Sequence, residues 1–159
     1  MEVILIRHGI AEDRSPHKAD DKRALTDKGI EILRGFFPVV KDKLNQHPNP
    51  MTRIWSSPLT RAVQTAALLA DELGADAFER YDFISSGSYD EFKEAISAQD
   101  LRSRIIIVGH EPTLSIWTKQ LTGTQLSFRK GGVALITVLD ESPRRGILND
   151  YFDPKTLKD

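Results

Sequence analysis

Two stretches are apolar without interruption, Val3-Ile4-Leu5-Ile6 and Ile105-Ile106-Ile107-Val108, and each runs into a histidine beside a glycine: Arg7-His8-Gly9 and Gly109-His110. Continuous apolar runs, rather than alternating ones, are the pattern of strands covered on both faces. Arg53-Ile54-Trp55 and Val133 to Leu139 read as two further strands. Elsewhere the spacing changes to threes and fours. Ile30, Leu33, Phe37, Val40 and Leu44 predict a helix with one apolar face, opened by Thr26 as cap and Asp27 near its positive end. Pro38 lies inside that pattern and is expected to kink or divide the helix. Leu59, Ala62, Ala66, Leu69 and Leu73 predict a second helix, capped by Ser57, with Pro58 at its first position and Gly74 at its end. Glu111-Pro112 opens a third, carrying Leu114, Ile116, Trp117 and Leu121, and residues 88–98 suit a short fourth.

The remaining segments read as connections. Residues 11–24 are rich in charge and contain Pro16, as a mobile surface loop beside the first strand end would be. Residues 45–52 hold two prolines and two asparagines and read as a loop, and 75–90 read as irregular. The tail, 140–159, is polar with scattered Tyr151, Phe152 and Leu157, and is expected to pack across the surface. Strands alternating with helices predict an α/β fold, a three-layer sandwich around a mostly parallel central sheet. With no repeat and no break in composition, residues 1–159 read as a single domain.

Composition narrows the chemistry. The chain has no cysteine, which excludes disulfides, thiolate metal sites and cysteine nucleophiles. The formal net charge of -1 implies no broad basic surface, so nucleic acid is not an expected partner. The first apolar run is too short for a membrane span or a signal-peptide core, and a cytoplasmic protein is expected, with no membrane partner. Any anionic ligand must then be met by a local cluster of positive groups.

Such a cluster is available if the two strand ends share a crevice, which is where ligands sit in open α/β sheets. His8 and His110 would face each other there, Arg7 precedes the first, and Arg61 lies one turn into the helix after the Trp55 strand. Guanidinium forks match the spread charge of a phosphoryl group. A neutral imidazole can serve as nucleophile if its other nitrogen keeps its proton on an acceptor such as a backbone carbonyl. The second histidine would help most when protonated. Taken singly, each of these residues is more often structural than functional, and the joint pattern is what points to phosphoryl transfer. Paired histidines also suit a metal, but none of these has the close spacing of a helix-borne zinc motif, and the arginines would repel a cation. His17 and His47 sit in polar loops and read as surface residues.

Four blocks resemble the histidine phosphatase superfamily, the phosphoglycerate mutase-like fold. They are Leu5-Ile6-Arg7-His8-Gly9; Leu25-Thr26 with Gly29; Ser56-Ser57-Pro58-Leu59-Thr60-Arg61-Ala62-Val63-Gln64-Thr65-Ala66; and Val108-Gly109-His110-Glu111-Pro112. They stand in that family's order across nearly the whole chain. The short length, the Gly-His-Glu-Pro form and Asn149-Asp150-Tyr151-Phe152-Asp153-Pro154 are similar to the SixA-type phosphohistidine phosphatases. The resemblance implies His8 as the phosphorylated nucleophile and Arg7, Arg61 and His110 as the phosphate pocket, with no metal and no organic cofactor. It implies a phosphohistidine-bearing signalling or phosphotransfer protein as partner and phosphate as product.

Relatives that cleave phosphate esters carry a mid-chain acid that protonates the leaving oxygen. Here only Asp82, within Arg80-Tyr81-Asp82-Phe83-Ile84-Ser85-Ser86-Gly87, is a close candidate for that proton donor. Phosphohistidine tolerates the lack of one, because imidazole leaves more readily than an alkoxide. The alternatives are a phosphomonoesterase or mutase acting on small phosphorylated metabolites or nucleotides, and a non-enzymatic phosphate-binding module. A mutase is expected to need insertions for which this chain has little room, and a degenerate module would be expected to have lost one of the four pocket residues.

Overall fold

The computed structural model describes residues 1–141 and 144–157. Strand β1 (Glu2–Arg7) stands at the centre of a six-stranded sheet, with β4 (Arg104–Gly109) parallel on one side and β5 (Val133–Val138) antiparallel on the other. Beyond β4 lie β2 (Thr52–Ser56) and the two-residue β3 (Glu79–Arg80), both parallel. Beyond β5 the sheet closes with β6 (Gly146–Phe152), antiparallel.

The apolar run of β1 divides by the two-residue period of a strand. Ile4 and Ile6 face α1 (Asp27–Asn45) and α2 (Thr60–Leu73), through Leu33, Phe37, Val40, Ala66 and Leu69. Val3 and Leu5 face the other layer, α3 (Asp82–Ser86), α4 (Tyr89–Ser97) and α5 (Thr113–Thr122), through Phe83, Phe92, Leu114 and Trp117. The result is the three-layer α/β sandwich with a largely parallel sheet that the alternation predicts.

Four expectations need correction. Pro38 does not divide α1, which runs unbroken for 19 residues. A proline removes one intrahelical bond, while Leu33, Phe36, Phe37, Val40 and Leu44 are all buried around it, and that packing dominates. Helix α2 begins at Thr60, not at Pro58, because the Ser57 hydroxyl accepts from the Leu59 N–H (3.1 Å) and turns the chain before the helix starts. Residues 75–90 contain β3, α3 and the start of α4. The tail supplies edge strand β6 instead of only covering the surface; residues 142–143 and 158–159 of that segment lie outside the described residues.

The register decides where the chemistry falls. Arg7 pairs with Gly109, so the next residue of each strand is a histidine, His8 and His110, and Ser56 pairs with Val108, so Ser57 follows on the same edge. Among the described residues no helix is long and apolar enough to cross a membrane.

Candidate active site

The two histidines meet at the carboxyl end of the parallel strands. Their ring centroids are 5.2 Å apart and both residues are buried. The His8 N–H donates to Gly109 O (3.1 Å), which ties the two strand ends together just where the chain leaves the sheet. His8 Nδ1 lies 2.7 Å from Gly9 O. A carbonyl oxygen can only accept, so Nδ1 carries the ring proton and Nε2 keeps its lone pair.

His110 is oriented by a residue that the sequence reading treats only as a helix cap. Its Nε2 lies 2.7 Å from Ser57 Oγ. Ser57 Oγ accepts from Leu59 and can donate its own hydrogen to His110 Nε2. When Ser57 donates, the imidazole proton sits on Nδ1, a buried atom with no hydrogen-bond partner among the described residues. Arg7 Nε and Arg61 Nε are in the same condition. Buried donors are rarely left unmet. Three of them, from the ends of β1 and β4 and the start of α2, suit an acceptor with several oxygens.

Arg61 is 6% exposed. Its Nη1 donates to Asp20 O (2.8 Å) and its Nη2 lies 3.3 Å from the Asp20 carboxylate. The charged loop 11–24 is thereby clamped onto the site through a short turn at Asp20–Lys22. Arg7 Nη1 donates to Phe128 O (2.8 Å), and the Phe128 N–H donates in turn to Glu111, whose carboxylate also takes the Ser115 N–H and hydroxyl. Glu111 therefore links the start of α5 to the loop that holds Arg7.

The long motif 56–66 fixes the site from several sides. Thr65 Oγ accepts from the Gly9 N–H (3.2 Å) and donates to Arg61 O (2.8 Å), and Gln64 accepts from the Leu25 N–H (2.7 Å). Thr26 caps α1 through the Gly29 N–H (2.9 Å), as predicted. Gly29 itself is required by packing: a β-carbon there would lie 2.3 Å from Ile10 O.

Asp82 follows the end of β3, where the Tyr81 N–H donates to Ser56 O (3.0 Å), but its side chain is not tied into this constellation among the described residues. It is exposed in the first turn of α3, beyond the end of β3, and its carboxylate makes no hydrogen bond or ion pair among the described residues. Ser57, Thr65 and Asp20 join the site without a functional signal in the sequence. Ser57 and Thr65 lie in the resembling blocks but look like ordinary capping and helix residues, and Asp20 lies in a loop with no apolar pattern.

Burial controls the titration of both histidines. Desolvation, with the charges of His110, Arg61 and Arg7, pushes His8 down to about 3 against the opposing pull of Gly9 O. Desolvation, followed by the charge of Arg61, pushes His110 down to about 4. Burial thus favours the neutral form of His110, the ring that would help most when protonated. A phosphoryl dianion beside the ring would raise it again.

This has a consequence for stability. The unfolded chain binds a proton on each histidine near pH 6.5, whereas the folded protein resists until about 3 or 4. Their contribution is thus fully present above pH 6.5 and lost as pH falls, by up to about 1.4 kcal/mol per pH unit for each ring. Denaturant unfolding at pH 7 and pH 5 is expected to show this loss in the wild type and a clearly smaller one in His8→Asn/His110→Asn. An equal loss in both would contradict it.

Two strand-end histidines beside buried arginine donors, in a three-layer α/β sandwich, point to a class of protein, and comparison with known proteins defines it. The model of the histidine phosphatase superfamily (branch 1) matches residues 3–85, and the chain belongs to that superfamily. Its fold is similar to that of the protein histidine phosphatase SixA, solved with tungstate, at a TM-score of 0.86 and 25% identity over 99% of this chain and 100% of that one. A SixA protein from Agrobacterium tumefaciens shares the fold at a TM-score of 0.78, with 22% identity over 96% and 97% of the two chains. So does a mycobacterial glucosyl-3-phosphoglycerate phosphatase in complex with VO3, at 0.71 and 13% over 94% and 97%. In sequence, an uncharacterized protein of Picosynechococcus sp. is 33% identical over 140 residues, 84% of this chain and 82% of its own. No group of three or more His, Asp or Glu side chains that could hold a metal ion occurs among the described residues.

Proposed function

We propose that this protein removes phosphate from phosphohistidine in a partner protein of signalling or phosphotransfer type, through a phosphohistidine on its own His8. In the first step His8 Nε2 attacks phosphorus, a P–N bond to His8 forms, and the P–N bond to the substrate imidazole breaks. The released nitrogen takes a proton from solvent. Water then attacks phosphorus, the bond to His8 breaks, and phosphate leaves. Arg7, Arg61 and His110 Nδ1 donate to the phosphoryl oxygens, in which charge is spread during transfer. The chemistry needs no metal and no organic cofactor, and the lack of cysteine suits a cytoplasmic location.

One observation carries the choice of substrate: among the described residues, no carboxyl group in the pocket is placed or held as a proton donor. Desolvation pushes Asp20 up, but hydrogen bonds from Arg23 and the charge of Arg61 outweigh it and hold the carboxyl below its usual range. Glu111 accepts from Ser115 and Phe128. Asp82 is exposed, and its carboxylate makes no hydrogen bond or ion pair among the described residues. An alkoxide needs a proton to leave and an imidazole much less so. Small phosphorylated metabolites are the alternative substrate class and would require Asp82 to reach the leaving oxygen.

The test compares kcat/KM for a protein phosphorylated on histidine with that for a panel of sugar phosphates and nucleotides. A preference of about 10²–10⁴-fold for phosphohistidine is expected, the usual worth of a missing general acid. Equal or faster ester cleavage would overturn the assignment. Phosphate binding with no turnover of any substrate would favour a binding module instead.

A further inference from the structure

On the β5 side of the pocket the same sheet edge opens into a cavity of about 470 Å³. Arg7 and Gly9, the neighbours of His8, form one wall, and α1 forms another through Lys28 and Ile32. Arg129, Lys130 and Lys155 line the rest, from the turns before β5 and after β6. The lining thus carries five cationic side chains and a single carboxylate, Asp153, in a protein whose net charge is -1.

That one carboxylate leaves the lining with an excess of positive charge. Asp153 is fully buried and accepts from the Tyr151 hydroxyl and the Thr156 N–H, both at 2.9 Å. Among the described residues, Arg129 is the one cation that approaches it, at 3.8 Å. Lys28, Lys130 and Lys155 are exposed and make no ion pair among the described residues. Like charges gathered around a concavity repel one another, and they focus a positive field into it. Ile32 and Pro154 add apolar surface of the kind that the stems of acidic side chains can rest on.

We propose that this cavity is a docking subsite for glutamate and aspartate side chains of the substrate protein, in the segment next to its phosphohistidine. The proposal rests on the phosphohistidine-protein reading above. Arg7 belongs to both sites, so a substrate whose phosphoryl group lies at His8 presents its neighbouring residues at the mouth of the cavity. A lone second phosphate would leave much of a cavity this size unfilled, whereas a few consecutive side chains fill it.

The experiment uses two synthetic phosphohistidine peptides, one with glutamates flanking the phosphohistidine and one with glutamines in their place. At low salt the glutamate peptide is expected to be hydrolysed with a kcat/KM about tenfold higher, since complementary charge acts chiefly on encounter. Raising the salt should erode that preference. The variant Lys28→Glu/Lys130→Glu/Lys155→Glu should abolish it, and should instead favour a peptide flanked by lysines, a reversal that a merely structural effect would not produce. Equal rates on the two peptides in the wild type, or a preference that survives in the variant, would overturn the subsite, as would tighter binding of a small bisphosphate than of the glutamate peptide. Binding of the unphosphorylated glutamate peptide, followed by amide shifts at Gly29 and Lys130, needs no turnover. If it binds there but neither peptide is hydrolysed, the catalytic reading fails and the subsite stands; hydrolysis without preference is the converse.

Discussion

Replacing His8 with alanine is expected to abolish phosphate release and formation of the phosphoenzyme together. A nucleophile that forms the covalent intermediate has no substitute in the pocket, and kcat/KM should fall by at least about 10⁴-fold. The fold should tolerate the change, because the bond from the His8 N–H to Gly109 O belongs to the backbone and remains. The measurement is trapping of radiolabelled phosphate on the protein during turnover, with the acid lability and alkali stability of a phosphorylated imidazole. Label that persists in His8→Ala, for instance on His110, would remove His8 from the nucleophile's role. His110 is the informative alternative because its ring lies so close, yet its Nε2 is occupied by Ser57.

Arg61→Ala is expected to have the next largest effect. The residue is buried, and its Nε has no partner among the described residues while both terminal nitrogens reach Asp20. Loss of one preorganised donor to a developing charge costs about 10²–10³-fold in kcat. Arg61→Lys should recover little, because an ammonium group lacks the planar fork. The same residue also anchors the loop 11–24, so the structural share must be separated. Asp20→Asn weakens the anchor while leaving the guanidinium in place, and it should lower activity far less than Arg61→Ala. Equal losses in the two variants would show that Arg61 acts by holding the loop and not by meeting the phosphoryl group.

The features legible in the sequence are those that a local physical rule produces. Strands β1 and β4 lie at the centre of the sheet, covered on both faces, and such strands must be apolar throughout. Helix α1 packs one face on the core and so repeats at three and four, with a threonine whose side chain accepts at its start. The edge strands were opaque for the opposite reason. Both residues of β3 are exposed, and β6 alternates between buried ends and an exposed middle with a register shift against β5, so neither displays a buried stripe. Loop residues such as Asp20 carry no pattern at all, and the importance of this one comes entirely from Arg61, 41 positions away.

For the site itself, the chain alone determined which residues had the right chemistry and that His8 and His110 each stand beside a glycine at a strand end. Their meeting was decided by tertiary structure: β4 pairs with β1 in a register that puts Arg7 opposite Gly109, and a shift along the strands would have carried the rings apart. Tertiary structure likewise gave Ser57 its partner and Asp20 its arginine, and it gathered lysines from positions 28, 130 and 155 around one cavity. Residue types and periodicity follow from local constraints that every segment must satisfy by itself. Distances between segments follow only from the packing that brings them together, and the rates and charge preferences predicted above depend on those distances.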